Sequence, residues 1–279
     1  MAAAIFVSAL LYLKTLAPSV VGGDSGELMA AAHVLGVPHP PGYPTFTLLA
    51  HGFSRLPFGD PAIGMNLLSA VADSLAVGVV VLCILVLVGS VIRPPLANLE
   101  RTVVLAAALL GGALLATSTA FWTYSLVSEV FALNNLLAAL ITAAMLLWAS
   151  RVEDPRPLWL AAILSGLAVT NQQTIVLLAP GLLILYGHGL RSAARSGSVR
   201  LDMPSLVRLG LIPAALFAVG LLPYVYLPLA AAGDPVVNWG DPRTLDRFWA
   251  VVTRESYGTL SLTVRETRGG KLGVDATGP

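Results

Sequence analysis

Val130 to Ala149 reads VFALNNLLAALITAAMLLWA. No charged residue interrupts this run, and its polar positions are Asn134, Asn135 and Thr142. Crossing a hydrocarbon core of roughly 30 Å takes about 20 such residues as a helix. In lipid, backbone N–H and C=O groups must bond within their own segment, so the run is helical. Runs of this kind recur, and they set the fold class: all-α, a polytopic membrane helical bundle. The composition agrees. Apolar residues make up 56% of the 279 residues and charged residues 11%, against about 25% charged in ordinary soluble domains. The mean hydropathy is +0.81.

Seven spans are expected: about Ala2–Ala17, Ala62–Ile92, Thr102–Thr119, Val130–Ala149, Leu158–Thr170, Thr174–Gly187 and Leu206–Ala230. The first and fifth are short. The links between spans alternate in charge. Arg93 and Arg101 flank the second link, Arg151 and Arg156 the fourth, and Arg191, Arg195, Arg200 and Arg208 crowd the sixth. The first, third and fifth links hold Arg55 and no other Arg or Lys. Basic links stay cytoplasmic. The Asp24 loop, Glu129, Asn171 and everything after Ala231 are therefore expected together on the lumenal or periplasmic face. Residues 1–231 form the membrane domain, with a first outer loop over 19–61, and 232–279 an outer segment. Ala2 to Ala17 reads as a signal anchor without a cleavage site. The one cysteine, Cys83, excludes an intrachain disulfide. A net charge of +1 leaves no electrostatic footprint for nucleic acid.

The chemistry concentrates in the first outer loop, in Gly22-Gly23-Asp24-Ser25-Gly26-Glu27 and Val37-Pro38-His39-Pro40-Pro41-Gly42-Tyr43-Pro44. Ionisable groups at a membrane boundary are costly to desolvate and mark functional sites. Asp24 and Glu27 have the spacing of a capping box at the start of a helix over Ser25 to Leu35. They equally suit a carboxylate presented to a cavity as general base. His39 is either a turn residue bonded to nearby backbone or a donor to a phosphate. His33 reads as structural and His51 as interfacial. Tyr43, Phe46, Leu49, Phe53 and Leu56 give an apolar stripe for an interfacial helix.

Elsewhere the sequence offers polar groups on the same face. Glu129 begins the fourth span, where a helix N-terminus favours a carboxylate. Asn134 and Asn135 either bind helices together or line a polar cavity. Asn171-Gln172-Gln173 forms an outer turn whose amides suit a sugar. Trp239 suits a sugar ring or the membrane interface. Arg254 suits a phosphate or a neighbouring carboxylate. Leu245 to Val252 reads as an amphipathic helix with Phe248, Trp249 and Val252 on its apolar side. No histidine pair has metal-ligand spacing, and no cofactor motif is evident. A transporter or lipid carrier is the rival class, although transporters place polar groups at mid-membrane in broken helices; an inactive scaffold is the other.

Gly23-Asp24-Ser25-Gly26-Glu27-Leu28 with His39-Pro40-Pro41-Gly42-Tyr43-Pro44 resembles the opening signature of the transmembrane protein 260 family. Its members are multipass protein O-mannosyltransferases of GT-C type, with bacterial relatives. Further blocks agree in order: Asn66-Leu67-Leu68-Ser69, Glu129-Val130-Phe131-Ala132-Leu133-Asn134-Asn135, Asn171-Gln172-Gln173-Thr174, Leu222-Pro223-Tyr224-Val225-Tyr226-Leu227-Pro228, Asn238-Trp239-Gly240-Asp241 and Tyr257-Gly258-Thr259. Family members run on well past residue 279, so a truncated chain is expected, and its ending from Gly269 reads the same way. The resemblance implies a polyprenyl (dolichyl) phosphate mannose donor. It implies as acceptor a Ser or Thr of a folded extracellular domain, such as an IPT domain. It implies an acidic first-loop base, for which Asp24 matches the pattern and Glu27 is the second choice. His39 and Arg254 would then meet the donor phosphate, and Tyr43, Glu129, Asn134, Asn135, Asn171, Gln172 and Trp239 the substrates. The expected location is the endoplasmic reticulum membrane, with a bacterial inner membrane as alternative.

Overall fold

The computed structural model describes residues 1–91, 98–197 and 202–258. Ile92, Arg93, Arg200 and the tail from Thr259, including the expected ending, lie outside the described residues. Helices follow the apolar runs: α1 (Ala2–Thr15), α2 (Ser25–Val34), α3 (Pro44–Ser54), α4 (Pro61–Val91), α5 (Asn98–Thr117), α6 (Thr119–Ser125), α7 (Val130–Ser150), α8 (Arg156–Asn171), α9 (Gln173–Arg195), α10 (Met203–Ala232) and α11 (Leu245–Val252). Pro44 and Pro61 open α3 and α4, where a missing N–H costs nothing. The described residues contain no sheet, and their one β-type pairing is an isolated parallel bridge between Val37 and Asn238.

Every expected span is a helix, and α4, α5, α7, α9 and α10 are long and apolar enough to cross a membrane. At 14 and 16 residues, α1 and α8 reach only about 21 and 24 Å. The sixth span runs on to Arg195, beyond the expected end at Gly187. Gly189 lies flat against the Trp148 ring, and Leu190 and Ala193 join the core, so the extension is packed.

The main core joins α2, α3, α4, α7, α8 and α9 around Phe46, Leu28, Ile141 and Trp148, the last stacked on Tyr186 at 5.3 Å. Gly166 of α8 meets Gly220 of α10 so closely that a Cβ on either would overlap the other helix's backbone. In α3 the buried face is Pro44, Phe46, Thr47, Ala50 and Ser54, and Tyr43 just before it is also buried. Of the expected stripe, Phe46 is fully buried and Phe53 packs against the main core, whereas Leu49 and Leu56 lie exposed on the protein surface. A second core of Val37, Leu227, Ala231, Val251 and Val252, with Phe248 and Tyr224 against it, seats α11 on the end of α10 and on the first loop. Val251 and Val252 face this core, and Trp249 is half exposed.

Candidate active site

Asp24 stands at the start of α2, but its side chain makes no capping bond. The expected capping box does not form. Glu27 instead reaches forward to the Pro38–Pro41 turn. Its Oε1 accepts the His39 backbone N–H at 2.6 Å, and its Oε2 lies 2.9 Å from His39 Nδ1. A charge-assisted pair of this kind outcompetes a reciprocal cap to a single amide. The other ring nitrogen, Nε2, lies 3.2 Å from the Tyr43 hydroxyl and 3.9 Å from Asp24 Oδ2. The His39 side chain is 13% exposed, whereas that of Asp24 is 67% exposed. Asp24 thus looks outward from a cluster in which His39 is the more buried partner.

Two further elements close the cluster. Glu129 precedes α7 and is nearly buried. Burial, with the Asp24 charge as the second cause, pushes its carboxyl from an ordinary 4.5 to about 7. From the segment after α11 comes Arg254, whose guanidinium sits 5.6 Å from the centre of the Tyr257 ring, a cation–π contact. Tyr257 lies edge-on to His39 at 6.4 Å. Among the described residues the buried Nε of Arg254 has no acceptor. Burial raises the Tyr43 hydroxyl above its ordinary range; Arg254 opposes this, and Asp24, Tyr257 and Glu129 add to it. Burial also raises Tyr257, with Glu27 and Asp24 contributing. These mutual influences tie the carboxylates, the tyrosines and the arginine into one electrostatic unit.

Backbone geometry is unusual at the same place. Tyr43 and Arg254 both hold left-handed φ values, 38° and 56°. Such conformations cost of order 1–3 kcal/mol in non-glycine residues and persist only where surroundings enforce them. Beside Tyr43, Gly42 has φ 89°, and a Cβ there would press into the Leu227 side chain. The outer segment is tied to the loop by Val37 N–H to Val237 O (2.8 Å), Trp239 N–H to Val37 O (3.0 Å) and Tyr226 O–H to Gly36 O (2.8 Å). Gln173 Nε2 donates to Val252 O at 2.7 Å, so the turn after α8 supports α11.

The structure therefore gathers Asp24, Glu27, His39, Tyr43, Glu129 and Arg254. Other candidates have different neighbours. Asn135 donates to Asp73 Oδ1 at 3.1 Å. Asn171 is fully buried and donates to Val130 O at 3.1 Å, joining α8 to the start of α7. Asn134 Oδ1 is buried with no partner among the described residues. Gln172 is an extended linker residue at the end of α8. Trp239 uses its backbone for the bridge and leaves its ring half exposed.

Two participants were not singled out from the sequence. Tyr257 stands three residues past Arg254, under its guanidinium. Asp73, fully buried in α4, accepts from Ser125 Oγ at 2.8 Å as well as from Asn135. A carboxylate inside an apolar run is itself the signal that would have found it. Among the described residues no group of three or more His, Cys, Asp and Glu side chains is arranged to hold a metal ion.

Residues 24–193 match the profile described as the Protein O-mannosyl-transferase TMEM260 N-terminal domain, beginning at Asp24 itself. The chain belongs to the TMEM260 family. It is 36% identical over 269 residues to the Protein O-mannosyl-transferase TMEM260 of Mus musculus, covering 94% of this chain and 35% of the mouse protein. It is 29% identical over 280 residues to the Protein O-mannosyl-transferase tmem260 of Dictyostelium discoideum, covering 92% of this chain and 31% of that protein. The chain thus spans about a third of the length of these TMEM260 relatives. No solved structure matches it.

Proposed function

We propose that this chain carries the reaction centre of an inverting protein O-mannosyltransferase embedded in a membrane. The observation that carries the reading is the outward-facing Asp24 carboxylate set against the Glu27–His39 pair, with the unpartnered Nε of Arg254 in the same cluster. The names of the mouse and Dictyostelium relatives support the reaction class. The donor is a polyprenyl (dolichyl) phosphate mannose, whose chain lies in lipid while its headgroup reaches the outer face. The acceptor is a Ser or Thr hydroxyl of a folded extracellular-type domain, such as an IPT domain. The Asp24 loop faces the lumen of the endoplasmic reticulum.

A hydroxyl is a poor nucleophile until a base takes its proton. Asp24 is free of the capping bond that would occupy its oxygens, and so accepts that proton. As the acceptor oxygen bonds to the anomeric carbon, the carbon–oxygen bond to the lipid phosphate breaks on the opposite side. The electron pair leaves with the phosphate. Arg254 supplies positive charge and an unused N–H for it.

The test is mass spectrometry of an IPT domain incubated with dolichyl phosphate mannose and the purified chain in lipid nanodiscs. Asp24→Asn lowers transfer by about 10²–10⁴-fold with an unchanged melting temperature. Transfer undiminished in Asp24→Asn refutes Asp24 as the base, and no hexose on the acceptor with the unaltered chain refutes the activity.

A further inference from the structure

The first outer loop holds a doubly bonded residue pair that the role of Asp24 leaves unexplained. Glu27 Oε1 is committed to the His39 backbone N–H, and Oε2 faces Nδ1 at 2.9 Å. An ionised carboxylate only accepts hydrogen bonds, so the neutral ring carries its proton on Nδ1 and its lone pair on Nε2. The Tyr43 hydroxyl, kept as O–H by burial, points at that lone pair from 3.2 Å. Asp24 Oδ2 lies 3.9 Å from the same nitrogen. The groups around the ring are thus Glu27 from α2, Asp24 before it, Tyr43 before α3, and Tyr257 from the outer segment, with Arg254 over Tyr257. A phosphate approaching this ring would meet two carboxylates, which disfavours His39 as a phosphate donor.

We propose that His39 is the relay for the proton Asp24 removes: the proton passes from Asp24 Oδ2 to His39 Nε2 while Glu27 holds Nδ1–H. This rests on the reading of Asp24 as base. The acceptor O–H bond breaks as its oxygen joins the anomeric carbon, and the lipid phosphate leaves with the electron pair. The proton moves first to Asp24 and then to Nε2. The resulting imidazolium lies between Asp24 and Glu27, so its charge is balanced on both sides. The transfer needs Nε2 and Oδ2 to close by about 1 Å to hydrogen-bond distance as the Tyr43 hydroxyl turns away. A base oriented by a third group on its far nitrogen is the arrangement that activates weak hydroxyl nucleophiles. His39 acts here through Asp24, and Glu27 is the residue that positions it.

Two measurements on the full chain in nanodiscs decide the matter. The first needs no activity. ¹⁵N-histidine spectra assign His39 by the peak lost in His39→Gln; its neutral ring is the Nδ1–H tautomer, and Glu27→Gln weakens that preference. An Nε2–H tautomer overturns the relay. The second uses dolichyl phosphate mannose and the IPT acceptor. His39→Gln lowers kcat by about 100-fold, the low end of a general acid–base contribution, with donor KM unchanged. His39→Gly, checked for an unaltered melt, recovers turnover when imidazole is added. Full kcat in His39→Gln, or no recovery in His39→Gly, overturns the relay while leaving Asp24 as base. Full transfer in Asp24→Asn instead removes the base reading and the relay with it.

Discussion

Glu129 shows how a single carboxyl reports on its surroundings. Its pKa is raised from 4.5 to about 7 by burial first and by Asp24 second. The folded chain therefore holds a proton there that the unfolded chain releases between these values. Stability falls as pH rises through that window and is level above about 7. Thermal melts of the detergent-solubilised chain at pH 4.5 to 8 check this: Glu129→Gln flattens the decline and melts higher than the unaltered chain at pH 8. The residue scale is also where sequence reading is weakest. Asp24 and Glu27 have the spacing of a capping box, yet Glu27 bonds to His39, because the Pro38–Pro41 turn folds back and offers an amide and an imidazole together. Nothing in the local pattern encodes that return. Asp73 was missed although its signal was present, since an aspartate amid valines and alanines has no cheap place in lipid.

Among elements, two contacts set how the bundle fits together. Gly166 and Gly220 let α8 and α10 touch backbone to backbone, as small residues do between membrane helices. Gly166→Ala places a methyl group where Phe217 O and Gly220 already stand, and costs about 1–3 kcal/mol of stability. Gly181→Ala in α9, where a Cβ meets nothing within 4 Å, leaves the melt unchanged and serves as control. The second contact is Asp73, which binds α4 to α6 and α7 through Ser125 and Asn135. Asp73→Ala strands the Asn135 amide, at about 1–3 kcal/mol for a buried group, while Ser125 keeps Phe121 O as its acceptor; Asp73→Asn keeps one acceptor and melts between Asp73→Ala and the unaltered chain. Helices were the most legible feature, because uninterrupted apolar length determines them regardless of context. Their inward faces were less so. In α11, Val251 joins Val252 and Phe248 against the second core around Leu227, while Trp249 stays half exposed.

For the molecule as a whole, the charge alternation between links predicts which ends share a compartment. With Cys83 replaced by Ala, single cysteines at Arg55 or Glu255 react with an impermeant maleimide added to the lumenal side of microsomes, and a cysteine at Arg156 reacts from the cytosolic side. Labelling of Glu255→Cys from the cytosolic side instead would put Arg254 and Asp24 in the wrong compartment for an extracellular-type acceptor. The alternation could be read from arginine positions alone, but the folding of the last outer segment onto the first loop could not. That contact depends on a bridge between Val37 and Asn238 and on burial of Val251 and Val252, pairings that span most of the chain.

The bridge from Val37 to Asn238 has a consequence for biosynthesis. Asp24, Glu27 and His39 leave the ribosome early, while Arg254 and Tyr257 follow more than two hundred residues later. Until Asn238 has been made, no strand partner exists for Val37, and no Arg254 guanidinium stands near the loop. A nascent polypeptide halted before that point would expose a bare acidic loop to the translocon and its chaperones. The cluster around His39 is complete only once residues 238–257 have folded back onto the first loop.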